Sequence, residues 1–283
     1  MSKTIRVIPR LDIKGPNVVK GIHLEGLRVM GKPSEFARHY YNEGADELLF
    51  MDVVASLYER NSLHSIISET AKSIFIPITV GGGLRTLDDM SAVLRAGADK
   101  VCINTVAIKN PDIIKQASLK FGSSTIVVAI ETSREKNGQY LAYTDNGREH
   151  TGIDAIKWAI RAAESGAGEL IITSVDKEGT GEGYDIELIR QIADIVDIPV
   201  VAHGGAGTAF HIVDVIREGH ADAVSMASIL HYDYIANNEI DAHSHEEGNV
   251  EFLKNKRTSK NFDTCNIAAI KKQMAESLIP CRI

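Results

Sequence analysis

Asp12 and Glu131 are the residues of this sequence best suited to moving protons. Each ends a short apolar run, in Leu11-Asp12-Ile13 and Ile130-Glu131-Thr132, and the two lie 131 − 12 = 119 residues apart. Two opposed carboxylates suit a general acid and a general base when their surroundings drive their proton affinities apart. The plainer alternative is that each caps a loop or pairs with a nearby Lys or Arg. Glycines offer a second chemistry. Gly81-Gly82-Gly83 and Gly204-Gly205-Ala206-Gly207 each follow an apolar run, and such turns can aim backbone N–H groups at a phosphate. Asn104-Thr105 and Ala227-Ser228 end two further runs and add N–H and hydroxyl donors. Tight turns use glycine in any case, so the glycines alone decide nothing. A third set, Arg6, Glu47, Lys100 and Glu169, alternates in sign, each at the start of an apolar run. It is either a salt-bridged seal or the rim of a polar passage, since desolvation makes buried charge rings poor stabilisers.

The elements that must position these residues follow from periodicity. Strand-like runs occupy Ile5–Ile8, Glu47–Val53, Ile76–Val80, Lys100–Asn104, Thr125–Glu131, Glu169–Ser174, Ile198–Ala202 and Ala221–Met226. Val and Ile fill both faces, as in parallel strands covered on both sides. Helix-period stretches follow at Pro33–Asn42, Leu63–Ser73, Leu87–Ala96, Pro111–Lys120, Asp154–Ser165, Asp185–Val196, Ala209–Glu218 and Asn266–Glu276. Eight strands alternating with eight helices predict a single (β/α)₈ TIM barrel over residues 1–283, with a doubly wound open sheet as the alternative. The chain also echoes itself. Gly81 and Gly204 are 123 residues apart, Ala98-Asp99 and Ala221-Asp222 likewise 123, and Gly44 and Gly166 are 122 apart. Two half-barrels are expected, about 1–122 and 123–283. Turn signals at Asn137-Gly138 and Asn146-Gly147 predict a small hairpin within Thr132–His150, and polar Asn237–Asn261 reads as a long, mobile insertion after the eighth strand.

In a barrel, strand C-terminal ends face the active site, and loops seven and eight commonly bind phosphate. The internal repeat then predicts a second phosphate site at loops three and four, hence a long substrate with a phosphate at each end. Asp12 and Glu131 face one another across the mouth between them.

Composition narrows the rest. The 283 residues are 44% hydrophobic and 24% charged, with Lys+Arg 31 against Asp+Glu 38, a net charge of −7. A globular chain with a large core fits; broad attraction to nucleic acid or anionic membrane does not. Three cysteines without CxxC spacing, and no targeting or membrane-spanning run, point to the cytoplasm. His243 and His245, with Cys265 farther on, lack the spacing of a metal site. No nicotinamide or triphosphate fingerprint occurs, so no cofactor is expected.

Together, Leu11-Asp-Ile-Lys14, Val18-Val-Lys-Gly21, Glu47-Leu-Leu-Phe-Met-Asp52, Thr79-Val-Gly-Gly-Gly83, Lys100-Val-Cys-Ile-Asn-Thr105, Asp176–Thr180 and Gly204-Gly-Ala-Gly207 resemble the cyclase (HisF-type) subunit of imidazole glycerol phosphate synthase. The resemblance covers about Ile5–Tyr234 and the last helix. It implies a glutaminase (HisH-type) partner at the barrel floor, whose ammonia passes through the barrel to a bisphosphorylated aminoimidazole ribonucleotide precursor. It implies Asp12 and Glu131 as catalytic carboxylates and Arg6, Glu47, Lys100 and Glu169 as an ammonia gate. Lys20, Gly83, Asn104, Thr105, Thr173, Gly179, Gly205, Ala227 and Ser228 would contact substrate or phosphate.

The departures from that family all face the barrel interior or mouth. Glu131 stands for Asp, Arg10 for Cys, His203 for Ser, and Glu178-Gly179-Thr180 for Asp-Gly-Thr, while the four gate residues are kept. Ammonia delivery intact with a remodelled acceptor site resembles the paralogues found among surface-polysaccharide genes, associated with acetamidino groups on nucleotide-linked sugars. That amidino-sugar role is the favoured expectation. The histidine-pathway cyclase is the alternative and a non-catalytic ammonia conduit the second. The sibling two-phosphate isomerase of the same pathway fits the gate residues less well.

Overall fold

Along Arg6-Val-Ile-Pro-Arg-Leu-Asp-Ile-Lys14 the side chains alternate between two environments, and that alternation lays down the first strand. The computed structural model describes residues 3–54, 63–238 and 262–283. In β1 (Arg6–Lys14), Val7, Leu11 and Ile13 enter the core beneath the helices, whereas Ile8 joins a separate cluster inside the barrel. Arg10 and Asp12 continue the inward-facing row. β1 pairs in parallel with β4 (Leu48–Asp52), and the sheet continues through β5 (Ile78–Gly81), β6 (Lys100–Ile103) and β7 (Ile126–Arg134). β7 pairs with β10 (Glu169–Ser174), followed by β11 (Val200–His203) and β12 (Ala223–Met226), and β12 returns to β1. Eight parallel strands thus close into the expected barrel.

Two antiparallel hairpins rise from its mouth. β8 (Tyr140–Thr144) and β9 (Glu149–Asp154) follow β7, within the segment where a hairpin is expected. Their turn places Asp145 and Asn146 at φ 52° and 61°, a conformation that Asn and Asp tolerate better than most residues. β2 (Asn17–Ile22) and β3 (Glu25–Gly31) follow β1 in the same way, although the periodicity does not announce them. Lys20, His23, Glu25 and Arg28 interrupt the apolar alternation because this hairpin lies over the mouth and not in the wall. Each hairpin follows the strand that carries one of the two candidate carboxylates.

The connecting helices are α1 (Pro33–Asn42), α2 (Leu63–Thr70), α3 (Leu87–Arg95), α4 (Thr105–Lys109), α5 (Asp112–Phe121), α6 (Ala155–Glu164), α7 (Ile186–Ala193), α8 (Ala209–Arg217), α9 (Ser228–Asn237) and α10 (Ile267–Glu276). Their starts are chemically marked. Thr86 and Asp89 form a reciprocal capping box on α3, and Asp154, Thr208 and Asn266 cap α6, α8 and α10. α4 and α9 begin directly after strand ends and lack a helix-period signal. α4 has only five residues, and most of α9 is buried, so neither presents one apolar stripe. Most of the expected insertion, 239–261, lies outside the described residues, as do His243 and His245. No helix among the described residues is long and apolar enough to cross a membrane.

One device recurs at the strand starts. Asp46, Asp99 and Asp222 accept the backbone N–H of Val7, Ile78 and Val200 at 2.8, 2.8 and 2.7 Å. At Asp46 the device extends to the last helix. Buried Lys271 of α10 donates to Asp46 Oδ1 at 2.9 Å and to the Gly44 carbonyl at 2.7 Å. Lys271→Met would leave Asp46 buried beside a missing cation, so the substitution is expected to cost about 3–5 kcal/mol. Chemical denaturation of the two proteins measures this, and an unchanged midpoint would show that the pair contributes nothing.

Candidate active site

Charges close the lower end of the barrel. Arg6 donates to Glu47 and Glu169, and Lys100 pairs with both, its Nζ 2.8 Å from Glu169 Oε2. All four residues named from the sequence therefore meet in one ring of alternating sign. Burial pushes the Glu169 carboxyl upward in pKa, but Arg6 and Lys100 outweigh it and hold the group below its ordinary value. Beneath the ring lies an open hollow of about 360 Å³, lined in part by Thr4, Pro77 and Arg282. Above it Ile8, Leu49, Cys102, Val127, Ala129, Ile171, Val201 and Ala223 form an apolar layer. Crossing such a layer costs a neutral small molecule far less desolvation than it costs an ion.

The next level is polar. Glu131, Thr173 and His203 lie side by side across β7, β10 and β11 by strand register. Arg10 enters from β1: its Nε donates to Asp12 Oδ1 at 2.7 Å, and its Nη1 stands 3.4 Å from His203 Nδ1. Thr173 Oγ1 is 3.2 Å from the same ring nitrogen. A guanidinium only donates, so Nδ1 accepts and the proton of the neutral imidazole sits on Nε2. Burial, with Arg10 and Lys20 nearby, keeps His203 well below its ordinary pKa and therefore uncharged. Asp12 also has Lys20 Nζ 3.9 Å from Oδ2, and Lys20 is in direct contact with Glu178 Oε1. Glu178 Oε2 accepts the Leu24 N–H at 3.2 Å, which ties the loop after β10 to the β2–β3 hairpin.

Glu131 is held differently. Gly147 N–H donates to its Oε2 at 2.8 Å and Asn104 Nδ2 at 3.1 Å. Asn104, named from the sequence as a phosphate contact, thus also orients the carboxyl. Burial raises Glu131 most; Arg10 and the Gly147 N–H lower it, and Asp12 and Asp145 raise it, leaving a pKa of about 7. A carboxyl poised there can both give and take a proton near neutrality. The two carboxylates that the sequence treats as equivalent therefore differ, one paired with cations and the other lifted by burial.

The two candidate phosphate regions also differ. Gly82, Gly83, Asn104, Thr105, Lys109 and Glu131 help line an open cavity of about 330 Å³. Its counterpart, bordered by Glu178, Gly179, His203, Gly205, Ala227 and Ser228, holds only about 10 Å³, roughly the space of a single water. Its glycines are needed for packing: a Cβ on Gly205 would fall 2.0 Å from the Gly183 carbonyl oxygen, and one on Gly179 2.7 Å from that of Gly21.

Family comparison agrees with this architecture. The family described as histidine biosynthesis protein matches residues 6–236. The chain belongs to that family. A Legionella pneumophila protein named imidazole glycerol phosphate synthase subunit HisF is 56% identical over 203 residues, 72% of this chain and 96% of the relative. Proteins of the same name from Prochlorococcus marinus (strain AS9601) and Alkaliphilus metalliredigens (strain QYMF) are 49% and 45% identical, covering 80% and 82% of this chain and 90% and 92% of their own lengths. The histidine biosynthesis match ends just before the polar segment that begins at Asn237.

Sequence reasoning missed the support around the carboxylates. Asn104 and Gly147 on Glu131, and Thr173 on His203, come from separate loops and strands. The even-numbered register of β1 was the one available signal, since it already placed Arg10 on the face of Asp12. Among the described residues no cluster of His, Cys, Asp and Glu is arranged to hold a metal ion.

Proposed function

We propose that this chain is the cyclase subunit of an imidazole glycerol phosphate synthase. Ammonia released by a partner glutaminase enters at the floor and crosses the apolar layer. It meets a bisphosphorylated aminoimidazole ribonucleotide precursor at the mouth. The observation that carries the reading is one barrel with the Arg6–Glu47–Lys100–Glu169 ring at its base and Asp12 opposite Glu131 at its top. The names of the relatives support the histidine-pathway role over the amidino-sugar role that the sequence departures favour. In this mechanism Asp12 and Glu131 exchange protons with the substrate, and Gly83, Thr105 and Lys109 hold one phosphate over the open cavity. The second phosphate would use Lys20, Gly205 and Ser228 once the Lys20–Glu178 pair opens.

The amidino-sugar reading keeps one supporting observation: the near-closure of that second region by His203 and Glu178 suits an acceptor phosphorylated at one end. Supplying the protein with ammonium salt and the bisphosphorylated ribonucleotide separates the two. An imidazole product is expected. Its absence across about pH 6–9, together with stabilisation by nucleotide sugars in a thermal-shift assay, would transfer the assignment to the second reading.

A further inference from the structure

Arg10 is a buried cation on the inner face of β1 above the apolar layer, and its guanidinium is only partly used. Nε is taken by Asp12 at 2.7 Å and Nη1 lies 3.4 Å from His203 Nδ1, but Nη2 is buried without a hydrogen-bond partner among the described residues. The side chain is 2% exposed, so water does not satisfy that N–H group in bulk fashion. A buried charged donor left unsatisfied is costly and asks for an explanation. Its position is central. The charge acts on Cys102 in β6, on Glu131 in β7 and on His203 in β11, three strands on other sides of the barrel. The fork is also fixed from two directions: Asp12 holds one edge, while His203, steadied by Thr173 at 3.2 Å, faces the other.

A buried N–H donor on a guanidinium that is held by Asp12 and whose charge acts on Glu131 has the properties of an oxyanion-stabilising group. We propose that Arg10 is a further catalytic residue, whose Nη2 binds the oxygen of the substrate carbonyl that ammonia attacks. The proposal rests on the ammonia-adding reading of the site. In the step, the nitrogen lone pair of ammonia forms the C–N bond, and the C=O π pair moves onto oxygen, where Arg10 Nη2–H stabilises it. The Glu131 carboxylate takes one proton from the new ammonium and returns it to the oxygen, giving a neutral carbinolamine. A second transfer through Glu131, from nitrogen to the hydroxyl, expels water and leaves the imine. In this step Asp12 balances the charge of Arg10, its own proton exchange belonging to the remainder of the reaction, and Lys20, Glu178, Asp145 and His231 are the other ionisable groups nearby.

Arg10→Lys and Arg10→Met test this in the full-length protein with ammonium salt and the bisphosphorylated ribonucleotide. Lysine keeps a cation beside Asp12 but loses the planar fork, so it separates catalysis from folding. For both variants kcat is expected to fall about 10²-fold with KM within about threefold, the pattern of an interaction made only in the transition state. Arg10→Lys should keep the unsubstituted melting temperature to within a few degrees. Retention of kcat within threefold by either folded variant would overturn the role of Arg10 and leave the wider reading standing. A KM rise that accounts for the whole loss would likewise overturn it, assigning Arg10 to binding. No turnover by the unsubstituted protein would overturn the ammonia-adding reading itself, and the role of Arg10 with it.

Discussion

Asp12→Asn is expected to lower ammonia-dependent turnover about 10³-fold, within the range over which positioned acid–base groups act. The amide has nearly the shape of the carboxylate, and its oxygen can still accept from Arg10 Nε, 2.7 Å away in the unsubstituted protein. It cannot take a proton. Its NH₂ would also face Lys20, now 3.9 Å from Oδ2, so one donor would meet another. Removing one partner from a buried ion pair further costs about 3–5 kcal/mol, which makes a melting curve a necessary companion to the rate. The rate of product formation with saturating ammonium decides the matter. Unaltered pathway function in the Asn variant would mean that the barrel only docks a glutaminase and conducts ammonia. Lost function with glutaminase binding intact would place the chemistry inside it.

Glu131→Gln should stabilise the protein above neutrality while lowering turnover about 10²–10³-fold. The sign follows from the raised carboxyl. Burial lifts Glu131 from an ordinary 4.5 to about 7, so the folded state binds a proton that the unfolded chain has already released. Such a group contributes its full stability below the unfolded pKa and loses it as pH rises through the folded one. The loss therefore falls between about pH 4.5 and pH 7 and amounts to about 3 kcal/mol. Gln has no proton to lose. Its melting temperature should exceed that of the unsubstituted protein by roughly 5–10 °C at about pH 8, with the gap closing by about pH 4. A gap of the same size at both pH values would show that Glu131 is not the group responsible. The rate of the unsubstituted protein should show a titration near pH 7 that the Gln variant lacks.

These two carboxyls show how far the chain could be read by eye. Their placement was legible, because an Asp or Glu ending a strand of a (β/α)₈ barrel points to the mouth whatever surrounds it. Helix bounds were legible where a local start signal marked them: Pro at the first position begins α1 at Pro33, and the Thr86 cap begins α3 at Leu87, as the sequence predicts. The β2–β3 hairpin was not, since its alternation is broken by charges that pair elsewhere. Glycine proved ambiguous in a physical sense. Gly205 and Gly179 are required by backbone packing alone, so their presence does not distinguish a phosphate cradle from a tight loop contact.

By itself the sequence determined the barrel, the strand face that Arg10 shares with Asp12, and the ends at which the gate charges and the carboxylates stand. Those are consequences of side-chain alternation and local turn chemistry, which act over a few residues. Tertiary structure decided which charges meet: Lys20 with Glu178, 158 residues on, and Arg10 with His203, 193 residues on. It also decided that one phosphate region is open and its counterpart nearly filled, and that Glu131 titrates near neutrality. Barrel closure brings distant strands to one point, and burial, which shifts proton affinities, exists only after that closure.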